Sequence, residues 1–109
     1  MITGGQNRFL TMAVDLCKKS THPQHKMSAI VVKGGAVLSK ACNLHHWTKH
    51  AESRALRPHL DLSGATVYIA RGNRGCSRPC ADCMLAIIDA GVKAIVFFDR
   101  NNEPTWERI

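Results

Sequence analysis

Apolar residues near the start of the chain recur three and four positions apart: Phe9, Met12, Ala13, Leu16 and Cys17. That spacing puts them on one face of a helix and predicts a helix over residues 7–19. Lys18 and Lys19 fall at its end, where positive charge complements the helix dipole. Thr21, His22 and Pro23 break the pattern. The period then changes. Met27 to Val32 is β-branched and apolar and reads as a strand. Gly34-Gly35 follows it, a hairpin signal, because both central positions of a type I′ turn need positive φ. Ala36 to Asn43 is the returning strand, and residues 44–49 form a polar loop. A second helix is expected from His50 to about Arg57, where Pro58 disfavours continuation.

Ser63-Gly64 leads into a third strand, Thr66 to Ala70, followed by a basic, glycine-containing loop over residues 71–79. Cys80 to Ala90 reads as a helix with Met84, Leu85, Ile87 and Ile88 as its core face and Gly91 as its C′ residue. Ala94 to Phe98 is a fourth strand and Thr105 to Ile109 a short fifth. So short a link between them predicts an antiparallel hairpin, since a parallel return needs about a dozen residues or more. The order α-β-β-α-β-α-β-β predicts an α/β fold, a mixed sheet of about five strands flanked by helices.

At 109 residues the chain is expected to form a single domain, residues 1–109. No apolar run approaches a membrane span, and Met1 to Leu10 lacks a basic-then-apolar signal pattern, so a cytoplasmic protein is expected with no membrane partner. The formal charge is +7. It invites a polyanion, either nucleic acid or a phosphorylated small molecule. The basic residues are scattered, however, with no run longer than Lys18-Lys19, and a soluble basic surface explains the charge equally well.

The five cysteines are Cys17, Cys42, Cys76, Cys80 and Cys83. An odd count without a secretion signal argues against a disulfide framework. Cys17 and Cys42 fall on predicted core faces and read as packing residues. Cys80 and Cys83, one helical turn apart, present two sulfurs to the same side, at a helix N-terminus that favours thiolate. His50 adds an imidazole. Three protein ligands leave the fourth tetrahedral position of zinc open, which is the layout of a catalytic zinc. Glu52, two residues after His50, is suited to moving protons beside it. Two other metal arrangements are weaker. Cys76 as a fourth ligand would close the site and leave Glu52 without a role, and a His46–His50 pair would need a helix across a loop-like stretch.

Together, His50-Ala51-Glu52 and Pro79-Cys80-Ala81-Asp82-Cys83 match the H-x-E and P-C-x-x-C signature of zinc nucleobase deaminases. Over about residues 7–109 the chain resembles the cytidine deaminase-like superfamily, which includes cytidine, deoxycytidylate, blasticidin and tRNA adenosine deaminases. The resemblance implies a three-layer cytidine deaminase-like fold. It implies Zn2+ as cofactor on His50, Cys80 and Cys83, and Glu52 as the catalytic proton shuttle. It further implies that Asn43, ending the second strand, hydrogen-bonds the substrate. Ala51, Trp47 and Arg78 complete the expected substrate-contacting set. The reaction implied is hydrolytic deamination, cytosine to uracil, with no organic cofactor.

The expected substrate is a free (deoxy)cytidine nucleoside or nucleotide. Within the superfamily an antiparallel fifth strand resembles the enzymes acting on free nucleosides, whereas nucleic-acid editors typically place a helix there. Aromatic residues are 6% of the chain, a poor supply for stacking several bases. Arg71, Arg74, Arg78 and Lys49 lie on loops near the motifs, and a guanidinium suits a phosphate. The alternatives are deamination of a base in single-stranded DNA or RNA, and a non-catalytic zinc-binding module. A homo-oligomer, dimer or tetramer, is expected by the same resemblance. The chain departs from its relatives in Arg78, where Ser or Glu is common before the Pro-Cys pair, in the long basic loop, and in Pro58.

Overall fold

The structure, a computed structural model, describes residues 4–18, 27–42, 61–71, 77–79 and 81–109. Its elements are α1 (Gly4–Cys17), β1 (Met27–Lys33), β2 (Ala36–Cys42), β3 (Thr66–Arg71), α2 (Ala81–Asp89), β4 (Ala94–Phe98) and β5 (Pro104–Arg108). The helix expected over residues 50–57 lies outside the described residues.

The strands form one mixed sheet in the order β2-β1-β3-β4-β5. β1 pairs antiparallel with both β2 and β3, and β5 pairs antiparallel with β4. Among the described strands only β3 and β4 run parallel, and α2 supplies the crossover that such a pair requires. Gly34 and Gly35 turn β1 into β2 with φ of +60° and +79°, as the sequence predicts. Val31 opposes Ser39 while Val32 opposes Val37, so Leu38 is the extra residue of a β-bulge.

Alternation along the strands divides the core in two. Ala29, Val31, Val67, Ile69, Ile95 and Phe97 face α2 and pack around Ile87. Ile30, Val32, Tyr68, Ala70 and Val96 face α1 and pack around Phe9, Leu10, Ala13 and Cys17. The Phe9 and Tyr68 rings lie 5.4 Å apart, tilted at 47°, a favourable aromatic geometry. Helix, sheet and helix thus make three layers. β1, β3 and β4 are covered on both faces, which is why they read as near-continuous apolar runs.

Both described helices are rotated about their axes relative to the sequence expectation. On α1 the buried stripe is Phe9, Leu10, Ala13 and Cys17, while Met12 is exposed and Leu16 half-buried. On α2, Cys83 and Ile87 are buried one turn apart and Met84 is half-buried. Leu85 and Ile88, expected in the core, are 66% and 49% exposed. A nine-residue helix lying on a sheet buries one stripe, and the i, i+4 pair Cys83 and Ile87 occupies it.

α2 ends as expected. Gly91 has φ of +85°. Its N–H donates to Ile88 O at 3.0 Å, and Val92 N–H donates to Ile87 O at 3.4 Å. These two bonds form a Schellman motif, with Val92 and Ile87 in its hydrophobic contact.

Candidate active site

The strands that precede the motifs in the sequence end together at one end of the sheet. Register places Cys42, Ser28 and Ala70 in one row across β2, β1 and β3. Arg71 follows in the next row, opposite Met27. β2 and β3 therefore finish at the same end, and the parallel strand β4 finishes beside them. The first motif begins beyond Cys42, and the second follows the loop that leaves β3 at Arg71. In open α/β sheets the carboxyl ends of the strands are where ligands bind.

The second motif is described at three of its positions. Ser77 and Pro79 are buried and Arg78 is exposed. α2 begins at Ala81, so Cys83 sits in its first turn, 4% exposed, as the sequence predicts. Free backbone N–H groups and the positive end of the helix dipole favour negative charge there. A thiol so placed suits a soft-ligand metal such as zinc. Cys83 is in no disulfide. His50, Ala51, Glu52, Cys80, Asn43 and Trp47 all lie outside the described residues, as do Cys76, His46, Arg74 and Lys49. Among the described residues no three His, Cys, Asp or Glu side chains group as a metal site.

Arg78 has a definite partner. Its Nε and Nη2 donate to the two carboxylate oxygens of Glu107 on β5, at 3.0 and 2.9 Å. This is a bidentate fork, the geometry in which a guanidinium holds a carboxylate best. Arg78 holds the Glu107 carboxyl below the usual glutamate range, mainly through its hydrogen bonds. The sequence offers no signal for a pairing across 29 residues beyond opposite charge.

Ser77 is the residue that sequence reasoning passed over. It is 1% exposed. Its N–H donates to Phe98 O at 2.8 Å. Its Oγ donates to Ile69 O at 2.9 Å and accepts from Phe98 N–H at 2.7 Å.

The two other described cysteines stand apart from this motif. Cys17 is buried, with its Sγ 3.3 Å from Ser28 Oγ, and Ser28 Oγ also donates to Ala13 O. Burial pushes the Cys17 thiol above its ordinary value of 9.0, against the lowering effect of the Ser28 hydrogen bond; nearby Cys42 adds to the rise. A protonated, buried thiol fits the packing role that the sequence predicts for Cys17. A cleft of about 230 Å³ between α1 and the β1–β2 edge, lined by Met12, Asp15, Leu16, Ile30 and Lys40, contains no motif residue.

No described helix is long and apolar enough to cross a membrane.

Comparison with known proteins agrees with this geometry. Riboflavin biosynthesis protein RibD of Aquifex aeolicus (strain VF5) is 32% identical over 103 residues, which cover 88% of this chain. The chain spans only 28% of that relative's length.

Three solved structures share the fold. The dCMP deaminase of cyanophage S-TIM5 superposes with a TM-score of 0.71 at 24% identity, covering 87% of this chain and 82% of its own. Cytidine deaminase from Burkholderia pseudomallei gives 0.73 at 20%, covering 98% and 93%. The Thermotoga maritima diaminohydroxyphosphoribosylaminopyrimidine deaminase/5-amino-6-(5-phosphoribosylamino)uracil reductase gives 0.66 at 24%, covering 84% of this chain and 28% of its own. The sequence profile described as "Cytidine and deoxycytidylate deaminase zinc-binding region" matches residues 4–99. With that match spanning α1, β1 to β4 and α2, the chain belongs to the zinc-dependent cytidine and deoxycytidylate deaminase family, an enzyme family of hydrolytic deaminases.

Proposed function

We propose that this chain hydrolyses the exocyclic amine of a free (deoxy)cytidine nucleoside or nucleotide, forming the corresponding uracil compound and ammonia. The observation that carries this reading is the antiparallel β4–β5 hairpin. It puts a strand where nucleic-acid editors of the superfamily typically place a helix. The cyanophage enzyme of similar fold has been solved with dCMP and dUMP, a substrate–product pair of this class. The basic segment from Arg71 to Arg78 supports a phosphate on that substrate, with Asn43, Ala51 and Trp47 as proposed contacts; Arg78, expected among them, gives its Nε and Nη2 protons to Glu107 instead.

The proposed zinc ligands are His50, Cys80 and Cys83, of which the buried first-turn Cys83 fits the role by position. Zinc, when bound, supplies the Lewis acidity that lets water act as a nucleophile near neutral pH. Glu52 accepts a proton from the attacking water. It then delivers protons to the ring nitrogen and to the departing ammonia. Asn43 holds the sugar, and Trp47 stacks on the base.

A second reading is favoured by the 32% identity to RibD, namely a phosphoribosylated aminopyrimidine in place of a cytosine nucleotide. Both readings keep the same site and the same loss of ammonia. Residues 1–109 act as one cytoplasmic deaminase unit in this proposal. The exposed Leu85 and Ile88 on α2 support its assembly with further copies.

Two variants test the site. Cys80→Ser should lose zinc and much of its folded stability, because metal binding stabilises the fold. Glu52→Ala should keep zinc and fold while losing at least about 10²–10⁴-fold in turnover. Full zinc occupancy in Cys80→Ser by elemental analysis contradicts the ligand assignment. An active Glu52→Ala contradicts the proton-shuttle role.

A further inference from the structure

We propose that Ser77, braced by the Arg78–Glu107 pair, is the positioning residue that seats the zinc-ligand turn. The proposal rests on the assignment of Cys80 and Cys83 as ligands. The paired registers of the parallel strands β3 and β4 run from Thr66–Ala94 to Tyr68–Val96. Beyond that point Ile69 O and both backbone groups of Phe98 need partners, since buried backbone groups are almost always paired.

Ser77 meets all three. A hydroxyl has one proton to give, and here it goes to Ile69 O, while a lone pair takes Phe98 N–H. The Ser77 N–H closes the third bond, to Phe98 O. The residue bridges the ends of β3 and β4.

The consequence reaches the metal ligands along a short, stiff stretch of chain. Arg78 is clamped to β5 through Glu107. Pro79 is buried, and its ring fixes φ. Cys80 is next, and Cys83 follows in the first turn of α2. The turn before the ligands is thus bonded to three strands, at Ile69, Phe98 and Glu107. Residues that orient metal ligands from outside the coordination sphere typically carry about 10–100-fold in metal affinity. Ser77 acts here through its bonds to the ends of β3 and β4.

The test is the rate at which zinc-loaded full-length protein surrenders zinc to a chromogenic chelator, measured beside its thermal unfolding. Ser77→Ala should release zinc about tenfold faster. Ser77→Thr, which keeps the hydroxyl, should stay near the parent rate. Ser28→Ala removes another buried hydroxyl, one bonded toward α1, and should lower the unfolding temperature without changing zinc release. Parent-like release from Ser77→Ala overturns the proposal, and so does equal acceleration by Ser28→Ala.

If Ser77→Ala yields no soluble protein, Glu107→Gln and Arg78→Gln carry the test from the surface. Each should accelerate release about two- to threefold, and no change in either overturns the proposal. Cys83→Ser separates the two levels of the argument. Full zinc retention there contradicts the ligand assignment itself. Zinc loss there, with parent-like release from Ser77→Ala, contradicts only the positioning role.

Discussion

At the scale of single residues, the cysteines divide by environment. Cys83 sits in the first turn of a helix, whereas Cys17 is enclosed by α1 and β1 beside Ser28. Burial raises the Cys17 thiol above its ordinary value of 9.0, so the protonated form is the one the fold favours. The stability linked to that thiol is present below pH 9.0 and is lost as pH rises through the higher folded value. The thiolate is the nucleophile, so Cys17 should resist iodoacetamide in the native protein at pH 8 and react in denaturant. Peptide mapping after timed alkylation reads this directly. Labelling of Cys17 as fast in the native protein as in the unfolded chain contradicts its enclosure.

Residue chemistry also shows what was legible in the sequence. The Cys80–Cys83 spacing and the His50–Glu52 pair announce themselves, because metal and proton chemistry demand particular side chains at particular intervals. Ser77 does not. A serine in a basic loop has many uses, and its role depends on Ile69 and Phe98 meeting at one point in space. Glu107 was silent for the same reason.

At the scale of elements, the strands and turns were readable and the helix rotations were not. The diglycine hairpin, the glycine C-cap and the antiparallel β5 each rest on local stereochemistry or chain length. Which stripe of α2 faces the sheet depends on the neighbours it packs against. Four apolar residues, Met84, Leu85, Ile87 and Ile88, compete for one narrow contact, and Leu85 and Ile88 end outside it.

The β4–β5 turn shows how one side chain can organise a hairpin. Asp99 Oδ1 accepts the N–H groups of Asn101 and Glu103 at 2.9 and 3.0 Å, and Asn102 takes a φ of +59°. Hydrogen bonds to a charged acceptor are worth about 1.5–3 kcal/mol each when buried, less at this half-exposed site. Asp99→Ala should cost about 1–2 kcal/mol, read as a lower urea midpoint with unchanged slope. A cost below about 0.3 kcal/mol contradicts the organising role.

Between elements, the Arg78–Glu107 pair ties the motif turn to the edge strand. Glu107 is held below the usual glutamate range by Arg78, so its contribution is present above the ordinary value of 4.5 and is lost as pH falls through the lower folded value. Both side chains are substantially exposed, and water screens them. A double-mutant cycle with Arg78→Gln and Glu107→Gln should give a coupling under about 1 kcal/mol at pH 7 that declines as pH falls below 4.5. A coupling that stays unchanged across the whole acid range in which the protein remains folded contradicts an ionic origin.

At the scale of the whole molecule, a three-layer sandwich brings the ends of three strands to one end of the sheet. Cys42, Arg71 and the β4 terminus finish together, and Ser77 joins two of those strands just before the Pro-Cys pair. The family match over residues 4–99 covers these strand ends and Ser77.

Ammonia release measured on zinc-loaded protein tests the central claim most directly. The panel comprises cytidine, deoxycytidine, their monophosphates, a phosphoribosylated diaminopyrimidine and single-stranded oligonucleotides, with Glu52→Ala as the blank. The account predicts turnover of the cytosine monophosphates to uracil monophosphates, about 10–100-fold faster than the nucleosides if one charge-assisted phosphate contact is made. Ammonia from oligonucleotides alone, or from nothing in the panel despite full zinc loading, contradicts it.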